Sequence, residues 1–415
     1  MAAGEGAATT VELTGTNARR LPIVAVLAAN IISLSGSALT NVAVPWFVLV
    51  TTGSAMRTGI TAAVALLPVL LGGVLGGALV DRAGFKRSSV WSDLLSAVAV
   101  AAIPLLYHTV GLGFGELLLI LFVGKLLNTP GGTARMSLVP ELAELANMSL
   151  ARANSALSVA YNVSALGGAA LAGVLIAVLG ASNVLIVDAT TFLISAVLIG
   201  LLVPAKATGS AAGGPATYLM DLREGLDYLR GDRLTLVMSG IFAVVNFLIA
   251  PLIAVVLPVY VRRIYGSAVE LGLLLGAAGV GTLMGVLAYG AFGSRLPRRA
   301  TFVGAFLVAA VPLMGLALLP GLVVAVVVVM ITGLAAGPID PLAQTIMQER
   351  VPPALLGRVF GLVSAVSTAA SPLGMLIAGV MLQLVSLRAT ILMETGLFLA
   401  VAVSLVAVPS LRELG

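Results

Sequence analysis

The sequence contains no cysteine, a single histidine and few charged residues. The absence of cysteine excludes disulfides, thiolate metal sites and a cysteine nucleophile, and His108 alone argues against histidine-based metal or acid–base chemistry. We therefore expect no metal site, no cofactor and no catalytic residues. Only 9% of the 415 residues are charged, whereas soluble globular proteins carry about 25%. Because 60% of the residues are hydrophobic instead, the composition indicates an integral membrane protein.

Twelve apolar segments are long enough to cross a bilayer as helices. A membrane-spanning helix needs about 20 predominantly apolar residues, and the length of the chain fits many spans rather than one anchor. We place the spans at residues 21–50, 58–80, 89–108, 116–137, 155–179, 183–203, 235–260, 269–293, 300–319, 321–345, 359–384 and 387–408. The sequence therefore predicts an all-α integral membrane fold with twelve transmembrane helices.

Lysine and arginine lie mainly on one side of these spans. Seventeen of the 22 lie on the side of both chain ends, four lie on the other side, and Lys125 falls inside span four. Cytoplasmic loops of membrane proteins are enriched in basic residues, so we expect both termini in the cytoplasm and the lipid bilayer around the spans. Since the basic residues stand in short loops, the net charge of +5 does not indicate a nucleic-acid partner.

One long link separates the first six spans from the last six. Residues 207–216 are rich in glycine and alanine, which predicts a flexible piece, and leucines then recur at helical spacing at Leu219, Leu222, Leu226 and Leu229. This pattern predicts an amphipathic helix on the cytoplasmic face. We therefore expect a tail at 1–20, a six-helix bundle at 21–203, a linker at 204–234, a second bundle at 235–408 and a tail at 409–415.

The two halves of the chain repeat each other. The segment GAFGSRLPRR at 290–299 overlays residues 77–86 at an offset of 213, with Ser294 in place of Asp81. At an offset of 206, Arg152 overlays Arg358, Gly168 overlays Gly374, and Ala172-Gly173 overlays Ala378-Gly379. Internal repeats of this kind predict two related bundles around a central path, and small residues at matching positions allow helices to approach closely.

The loop between spans two and three has the sequence GALVDRAGFKR, from Gly77 to Arg87. By charge alone, this loop is equally well explained as a basic loop that only sets the topology. Its spacing G-x-x-x-D-R-x-G-x-K-R resembles the corresponding loop of the major facilitator superfamily, with Phe85 where the family usually has a basic residue. That resemblance implies a conformational lock formed by Gly77, Asp81, Arg82, Gly84, Lys86 and Arg87. Arg135 is a candidate partner for Asp81 or, equally, a plain basic residue of the inner edge.

The resemblance extends over residues 20–410. It includes residues 41–49 (NVAVPWFVL), Leu138-Val-Pro140 followed by residues 151–154 (ARAN), residues 187–192 (VDATTF) and residues 357–361 (GRVFG). These motifs resemble the twelve-span drug:proton antiporter branch, which includes macrolide, tetracycline and multidrug exporters. Two departures stand out. Gly36 is followed by Ser37, where many relatives carry an acid, and Leu166-Gly167 replaces the antiporter-type Gly-Pro of span five.

Five ionisable residues within or near the spans are candidates for proton coupling. A carboxylate in hydrocarbon favours its protonated form and is therefore suited to carry a proton between two solvent-access states. The candidates are Asp340, Glu394, Asp188, Asp93 and Lys125. For the carboxylates, the alternatives are a structural ion pair, a helix cap or a side chain reaching the interface. For Lys125, we expect a position on the central path with a transient acidic partner, unless the span boundary is misplaced.

Polar residues within apolar spans are candidates for the lining of the path. We select Asn41, Trp46, Asn162 and Asn246 as substrate-cavity residues. Hydrogen bonding between helices is the ordinary explanation of such residues in membranes, and it stays open here.

The function implied by the resemblance is secondary active transport by alternating access. We expect a monomer in the plasma membrane that exports lipophilic small molecules in exchange for protons. An importer, a facilitator or a lysolipid or siderophore transporter of the same superfamily is the alternative. An enzyme is not expected, since there is no H-E-x-x-H cluster, and the absence of G-x-x-x-x-G-K-[ST] argues against ATP as the energy source.

Overall fold

The computed structural model describes residues 16–204, 215–353 and 355–414. Side chains are described within these ranges except at 16–18, 72–83, 166, 215–222, 294 and 412–414. The predicted N-terminal tail and the flexible piece at 207–216 therefore lie largely outside the described residues.

The described residues are helical almost throughout. In chain order, the α-helices are α1 (Thr16–Thr52), α2 (Ala55–Ala83), α3 (Phe85–Thr109), α4 (Phe114–Leu145), α5 (Leu150–Leu179), α6 (Ala181–Leu202), α7 (Pro215–Gly231), α8 (Arg233–Pro251), α9 (Leu257–Ile264), α10 (Ala268–Phe292), α11 (Arg298–Met314), α12 (Leu322–Ala336), α13 (Ile339–Arg350), α14 (Leu356–Leu384) and α15 (Leu387–Ala407). Short 3₁₀ turns follow α10, α11 and α15.

These helices form twelve membrane-length segments, and each predicted span coincides with one of them, extending past its ends by no more than one residue. In the part of the chain described with side chains, eleven segments are apolar and long enough to cross a bilayer. The twelfth is α2, which is 29 residues long. Two spans are composite: α8 and α9 form span seven, and α12 and α13 form span ten. The predicted all-α membrane fold is therefore confirmed.

Both composite spans contain a proline at the irregularity. Span seven passes through a π-helical turn, Leu252–Val256, directly after Pro251. Span ten is interrupted at Gly337-Pro338, between Ala336 and Ile339. Proline has no backbone N–H and clashes with the preceding turn, so the regular hydrogen-bond ladder cannot continue through it. Such breaks are tolerated at membrane depth where neighbouring helices surround the backbone.

The repeat is visible in the residues at which the helices begin. Helices α2 and α3 begin 213 residues before α10 and α11, and α5 and α6 begin 206 residues before α14 and α15. Both values equal the offsets of the sequence overlays. The two bundles are therefore related helix by helix: α1–α6 form the first bundle, and α8–α15 form the second.

The bundles meet at two glycine crossings. A Cβ on Gly173 of α5 would lie 2.5 Å from the Cα of Gly272 in α10, and a Cβ on Gly379 of α14 would lie 3.2 Å from the Cα of Gly59 in α2. Gly59 and Gly272 are equivalent at offset 213, and Gly173 and Gly379 are equivalent at offset 206. The two crossings therefore exchange when the bundles exchange, as a pseudo-two-fold axis between parallel repeats requires.

Both crossings lie toward one face of the molecule. We call the face where α1 begins and α15 ends the terminal face, and the other the opposite face. Gly59 and Gly272 are each the fifth residue of a helix that begins at the opposite face. Asn162 lies eleven residues before Gly173, which is three helical turns, so both share one side of α5. Because this side is tightly packed at Gly173 but exposed at Asn162, we infer that the bundles diverge toward the terminal face and leave a cleft that opens there.

The linker helix α7 packs on the start of α14 at the terminal face. Gly225 lies against the backbone of Arg358, and the hydroxyl of Tyr228 donates to the Arg350 carbonyl at 3.0 Å. Asp232 caps α8 and accepts from the Arg350 guanidinium at 2.8 Å. Partial burial of Asp232 opposes its ionisation, but hydrogen bonds from Thr235 and Arg350 hold the pKa of this carboxyl below its usual value. The linker is thus attached to the second bundle by polar contacts.

We expect Gly59→Leu to separate the bundles at the opposite face, because a side chain there would collide with the Met375 carbonyl and with Gly379. Since the chain has no cysteine, spin labels at Val110→Cys and Leu384→Cys report this distance directly by pulsed electron paramagnetic resonance. Gly132→Leu, where a side chain meets open space, is the matched control. An unchanged label distance in the Gly59 variant would contradict the role assigned to the crossing.

Candidate functional site

A fully buried ion pair lies in the first bundle, toward the terminal face. The Arg135 guanidinium donates to both carboxylate oxygens of Asp93, at 2.8 and 2.9 Å, and to the Asn30 amide oxygen at 3.0 Å. Ser195 donates to the same carboxylate at 2.6 Å. These residues come from α1, α3, α4 and α6, so the group ties the four helices together. Its exposed fraction is 2% at Arg135 and 0% at Asp93.

This arrangement corrects the predicted position of Arg135. The sequence predicts this side chain at the inner edge, as a partner of Asp81 or as a plain basic residue, but it is buried and bound by Asp93. The pairing with Asp81 stays a prediction, because the side chain of Asp81 lies outside the described residues. The physical reason is that α4 continues to Leu145, which places Arg135 well inside the helix rather than at its end. For Asp93, the geometry favours the ion-pair alternative over a proton carrier.

A second polar cluster lies deeper in the same bundle, around Asp188. Its carboxylate accepts hydrogen bonds from the hydroxyls of Thr40 on α1 and Thr191 on α6. The side chain is 1% exposed and packs where Gly36 leaves room on α1. A side chain at Gly36 would occupy the space of this carboxylate. Many relatives are expected to carry an acid directly after the glycine of span one, where this chain has Ser37. Here α6 supplies a carboxylate, Asp188, next to Gly36.

Lys125 joins this cluster to the cleft. Its ammonium donates to the Asn41 amide oxygen at 2.8 Å, and Asn41 is exposed. Lys125 and Asp188 line the same small cavity, of about 20 Å³, between α1, α3, α4 and α6, and they attract each other electrostatically. Lys125 thus lies between a buried acid and an exposed amide of α1, and its place on the central path stays a prediction.

The structure describes only some residues of the predicted conformational lock. The side chains of Gly77, Asp81 and Arg82 lie outside the described residues. Gly84 has a φ of 81° and separates α2 from α3, a left-handed backbone conformation that glycine adopts without strain. Lys86 donates to the Val203 carbonyl at the end of α6, at 2.5 Å, while Arg87 is exposed. Lys86 therefore fastens the start of α3 to α6, and the lock stays a prediction.

The two remaining carboxylates lie in the second bundle and differ in environment. Asp340 is exposed in the first turn of α13, where a negative charge stabilises the helix N-terminus. Glu394 is 9% exposed, and its Oε2 has no hydrogen-bond partner in the described part of the chain. Glu394 stands 206 residues after Asp188, so the two carboxylates occupy equivalent places on α6 and α15. Phe192 and Phe398 repeat this equivalence one turn later, and both are buried.

The four cavity candidates occupy different surroundings. Asn41 and Asn162 are exposed, and Asn246 is half-buried. The amide groups of Asn162 and Asn246 donate to carbonyls one turn earlier in their own helices. Trp46, however, is 4% exposed within the apolar core, so its assignment to the cleft lining is wrong for this conformation. It lies near the opposite face, where the bundles are in contact and no cleft exists.

Several site residues escaped the sequence analysis. The sequence analysis predicts no role for Thr40 or for four serines of α3. These serines are Ser88, Ser89, Ser92 and Ser96, and all five residues are buried. The signal that would have identified the serines is polar periodicity: they recur with Asp93 on one side of an otherwise apolar helix.

Comparison with known proteins agrees with this architecture. Residues 19–414 match the family described as transmembrane secretion effector. The chain belongs to this family of the major facilitator superfamily. It is 33% identical to the multidrug efflux pump Tap of Mycolicibacterium fortuitum over 96% of this chain and 98% of that protein. It is 23% identical to macrolide efflux protein A of Streptococcus pyogenes, over 95% of this chain and 98% of that one.

A solved structure shares the fold at low sequence identity. The nucleoside transporter NupG superposes with a TM-score of 0.74, covering 94% of this chain and 98% of the other at 13% identity. The likeness at this identity concerns the fold alone. The family and its relatives establish that this member of the superfamily is a multi-pass membrane transporter.

We expect Arg135→Gln to destabilise this transporter by about 3–5 kcal/mol, because it leaves the Asp93 carboxylate buried without its cation. Thermal unfolding of the detergent-purified protein measures the change. Arg298→Ala is the control: it breaks an ion pair with Glu349 whose partners are 45% and 52% exposed, so its effect should be small. Equal melting temperatures for wild type and Arg135→Gln would refute the role of the ion pair.

We expect Glu394→Met to leave stability unchanged or to raise it, by up to about 1–3 kcal/mol, because a buried polar atom without a partner costs free energy. Asp188→Met, which removes an acceptor of two hydrogen bonds, should destabilise. The two substitutions occupy equivalent positions of the repeat, so each serves as a control for the other in the same unfolding assay. A clear loss of stability in Glu394→Met would show that this carboxyl has a partner.

Proposed function

We propose that the chain is a proton-coupled exporter of lipophilic small molecules that works by alternating access in the plasma membrane. The observation that carries this proposal is the cavity shared by Asp188 and Lys125, joined to the cleft through Asn41. A buried acid beside a half-buried cation, at the border of a central path, is an arrangement that both substrate and protons can influence.

The proposed coupling depends on the charge of this pair. When Asp188 is ionised, it compensates the charge of Lys125, and the pair is neutral within the hydrocarbon. When Asp188 takes up a proton, the ammonium is left uncompensated, which is costly at membrane depth. Lys125 then depends more on Asn41 and on whatever occupies the cleft. Binding of a proton and binding of a substrate therefore affect the same side chain, which links the two events.

The direction and orientation of transport follow from charge and from relatives. Seventeen basic residues lie on the side of the terminal face, so that face is assigned to the cytoplasm with both chain ends. The cleft then opens to the cytoplasm, from which an exporter loads its substrate. Relatives named for multidrug and macrolide efflux support lipophilic compounds as substrates. We propose a monomer, since the two bundles form the whole path within one chain.

Accumulation assays test the proposal in an efflux-deficient bacterial host, with ethidium, erythromycin and tetracycline as probes. Cells expressing the protein should accumulate less of at least one probe, and a protonophore should abolish the difference. Asp188→Asn should reduce export about tenfold or more, because a positioned proton-transfer group contributes about a hundredfold or more to such steps. Glu141→Gln changes an exposed carboxyl of α4 and should leave export unchanged.

Three results would contradict the proposal. Export that persists with the protonophore would point to a different driving ion or to a facilitator. Higher accumulation in expressing cells would indicate an importer. Full proton-dependent export by Asp188→Asn would remove Asp188 from the coupling site while leaving the transporter itself in place.

A further inference from the structure

Helix α3 carries a stripe of buried polar residues inside the first bundle. The five residues are no more than 6% exposed and consist of Ser88, Ser89, Ser92, Asp93 and Ser96. Their spacing places them on one side of the helix, over a length of about 12 Å. This side faces α4 and α6, since Asp93 binds Arg135 and Ser195, and Ser92 accepts from the Gly131 N–H at 3.0 Å.

Most of these hydroxyls have no partner among the residues whose side chains the structure describes. The Oγ atoms of Ser88, Ser89 and Ser96 and the Nδ2 of Asn128 form no hydrogen bond within the described part of the chain. Each unpaired buried polar atom costs about 1–3 kcal/mol, and buried water is the usual partner of such atoms. Ser96 and Asn128 line the cavity of about 20 Å³, which is large enough for one water molecule. The stripe therefore has the chemistry of a row of hydroxyl groups joined by water molecules.

The stripe is continuous from the Asp188 cavity to the terminal face. Ser96 borders the cavity together with Asp188 and Lys125. Asp93 follows at a rise of about 4.5 Å along the helix axis and Ser89 at a further rise of about 6 Å, so polar groups recur about once per turn of α3. Ser88 lies in the first turn of α3, which begins at Phe85. No side chain of the cleft takes part in this sequence of groups.

The equivalent helix of the second bundle, α11, has no such stripe of polar residues. At offset 213, the positions of the stripe correspond to Thr301, Phe302, Ala305, Phe306 and Ala309. Phe302 and Phe306 are fully buried and pack edge to face, with ring centroids 5.1 Å apart. The same helix at the same place in the repeat is therefore stable with an apolar side. Because the fold does not require buried serines here, their presence in the first bundle indicates a role beyond packing.

The charged groups around the stripe compensate one another. From α4 it is faced by Lys125 and Arg135, from α6 by Asp188, and from α3 itself by Asp93. Among the described side chains, the helix α1 contributes the neutral groups Asn30 and Thr40. Within this part of the chain, a proton moving along the stripe thus passes one neutral ion pair, Asp93–Arg135.

We propose that this serine stripe is a proton path within the first bundle, connecting Asp188 to the terminal face without passing through the cleft. The inference rests on the proposed function. A proton leaves the Asp188 carboxyl for the water beside Ser96, each hydroxyl or water accepts one proton and passes one on, and one proton is released at the terminal face. No bond between heavy atoms changes. Substrate in the cleft consequently does not block proton release.

The test uses purified full-length protein in liposomes, with ethidium as the probe. Two activities are compared: transport driven by a pH gradient and ethidium exchange at equal pH on both sides. Exchange needs substrate binding and alternation but no net proton movement. Ser96→Val fills the cavity and removes a hydroxyl. Ala309→Val adds a similar volume at the equivalent position of the second bundle and is the matched control.

We expect Ser96→Val to lower gradient-driven transport about tenfold, because filling the cavity removes the water and the hydroxyl that would pass the proton on, while exchange stays within about twofold. Ala309→Val should preserve both activities. If Ser96→Val also loses exchange, the double variant Ser89→Ala/Ser96→Ala decides, since neither hydroxyl forms a hydrogen bond with a described residue. Loss of gradient-driven transport alone in the double variant supports the path, and retention of it overturns the path.

The outcomes for this path and for the proposed function differ. Gradient-driven transport retained by Ser96→Val overturns the path but leaves proton-coupled export standing. Wild-type protein that exchanges ethidium without responding to a pH gradient contradicts the proposed function, and the path with it.

Discussion

The central constraint on this transporter is that a polar group in hydrocarbon must find its partner within the protein. The first bundle satisfies this constraint by placing its charges opposite one another: Asp93 with Arg135, and Asp188 close to Lys125. The hydrogen bonds of Asp93, Arg135, Asp188 and Lys125 join different helices, so the polar residues also fix how α1, α3, α4 and α6 pack. The same residues that make the bundle costly to build therefore give it a specific internal arrangement.

The second bundle solves the same packing problem with apolar side chains. Where α3 has Ser89 and Asp93, α11 has Phe302 and Phe306, and these rings fill the interior without hydrogen bonds. Glu394 keeps the place of Asp188 in the repeat but has an unpaired oxygen within the described part of the chain. The two bundles are related by the repeat but differ in chemistry, and the buried ionisable residues that have partners lie mainly in the first bundle. This division suits a transporter in which one half handles protons while both halves form the cleft.

The glycine crossings connect this chemistry to conformational change. Gly59, Gly173, Gly272 and Gly379 bring the bundles to backbone contact at the opposite face, and the cleft exists only because the helices diverge beyond them. Such contacts depend on the absence of side chains rather than on strong attractions, so they can separate without breaking an ion pair. The buried charges stay inside one bundle during such a motion. In the proposed cycle, rocking of the bundles and protonation of Asp188 are therefore compatible.

Composition and span length by themselves determined the helical membrane fold, because only helices of about 20 apolar residues satisfy their backbone in a bilayer. The offsets of 213 and 206 could also be found in the sequence, since turn and basic residues repeat along the chain whatever the packing. The partners of the charged residues could not be predicted. Asp93 meets Arg135, and Asp188 shares a cavity with Lys125, because of how each helix is rotated and where it crosses its neighbours. The sequence of an apolar span does not determine how its helix is rotated, so only the tertiary structure decided which charges within the bundle compensate each other.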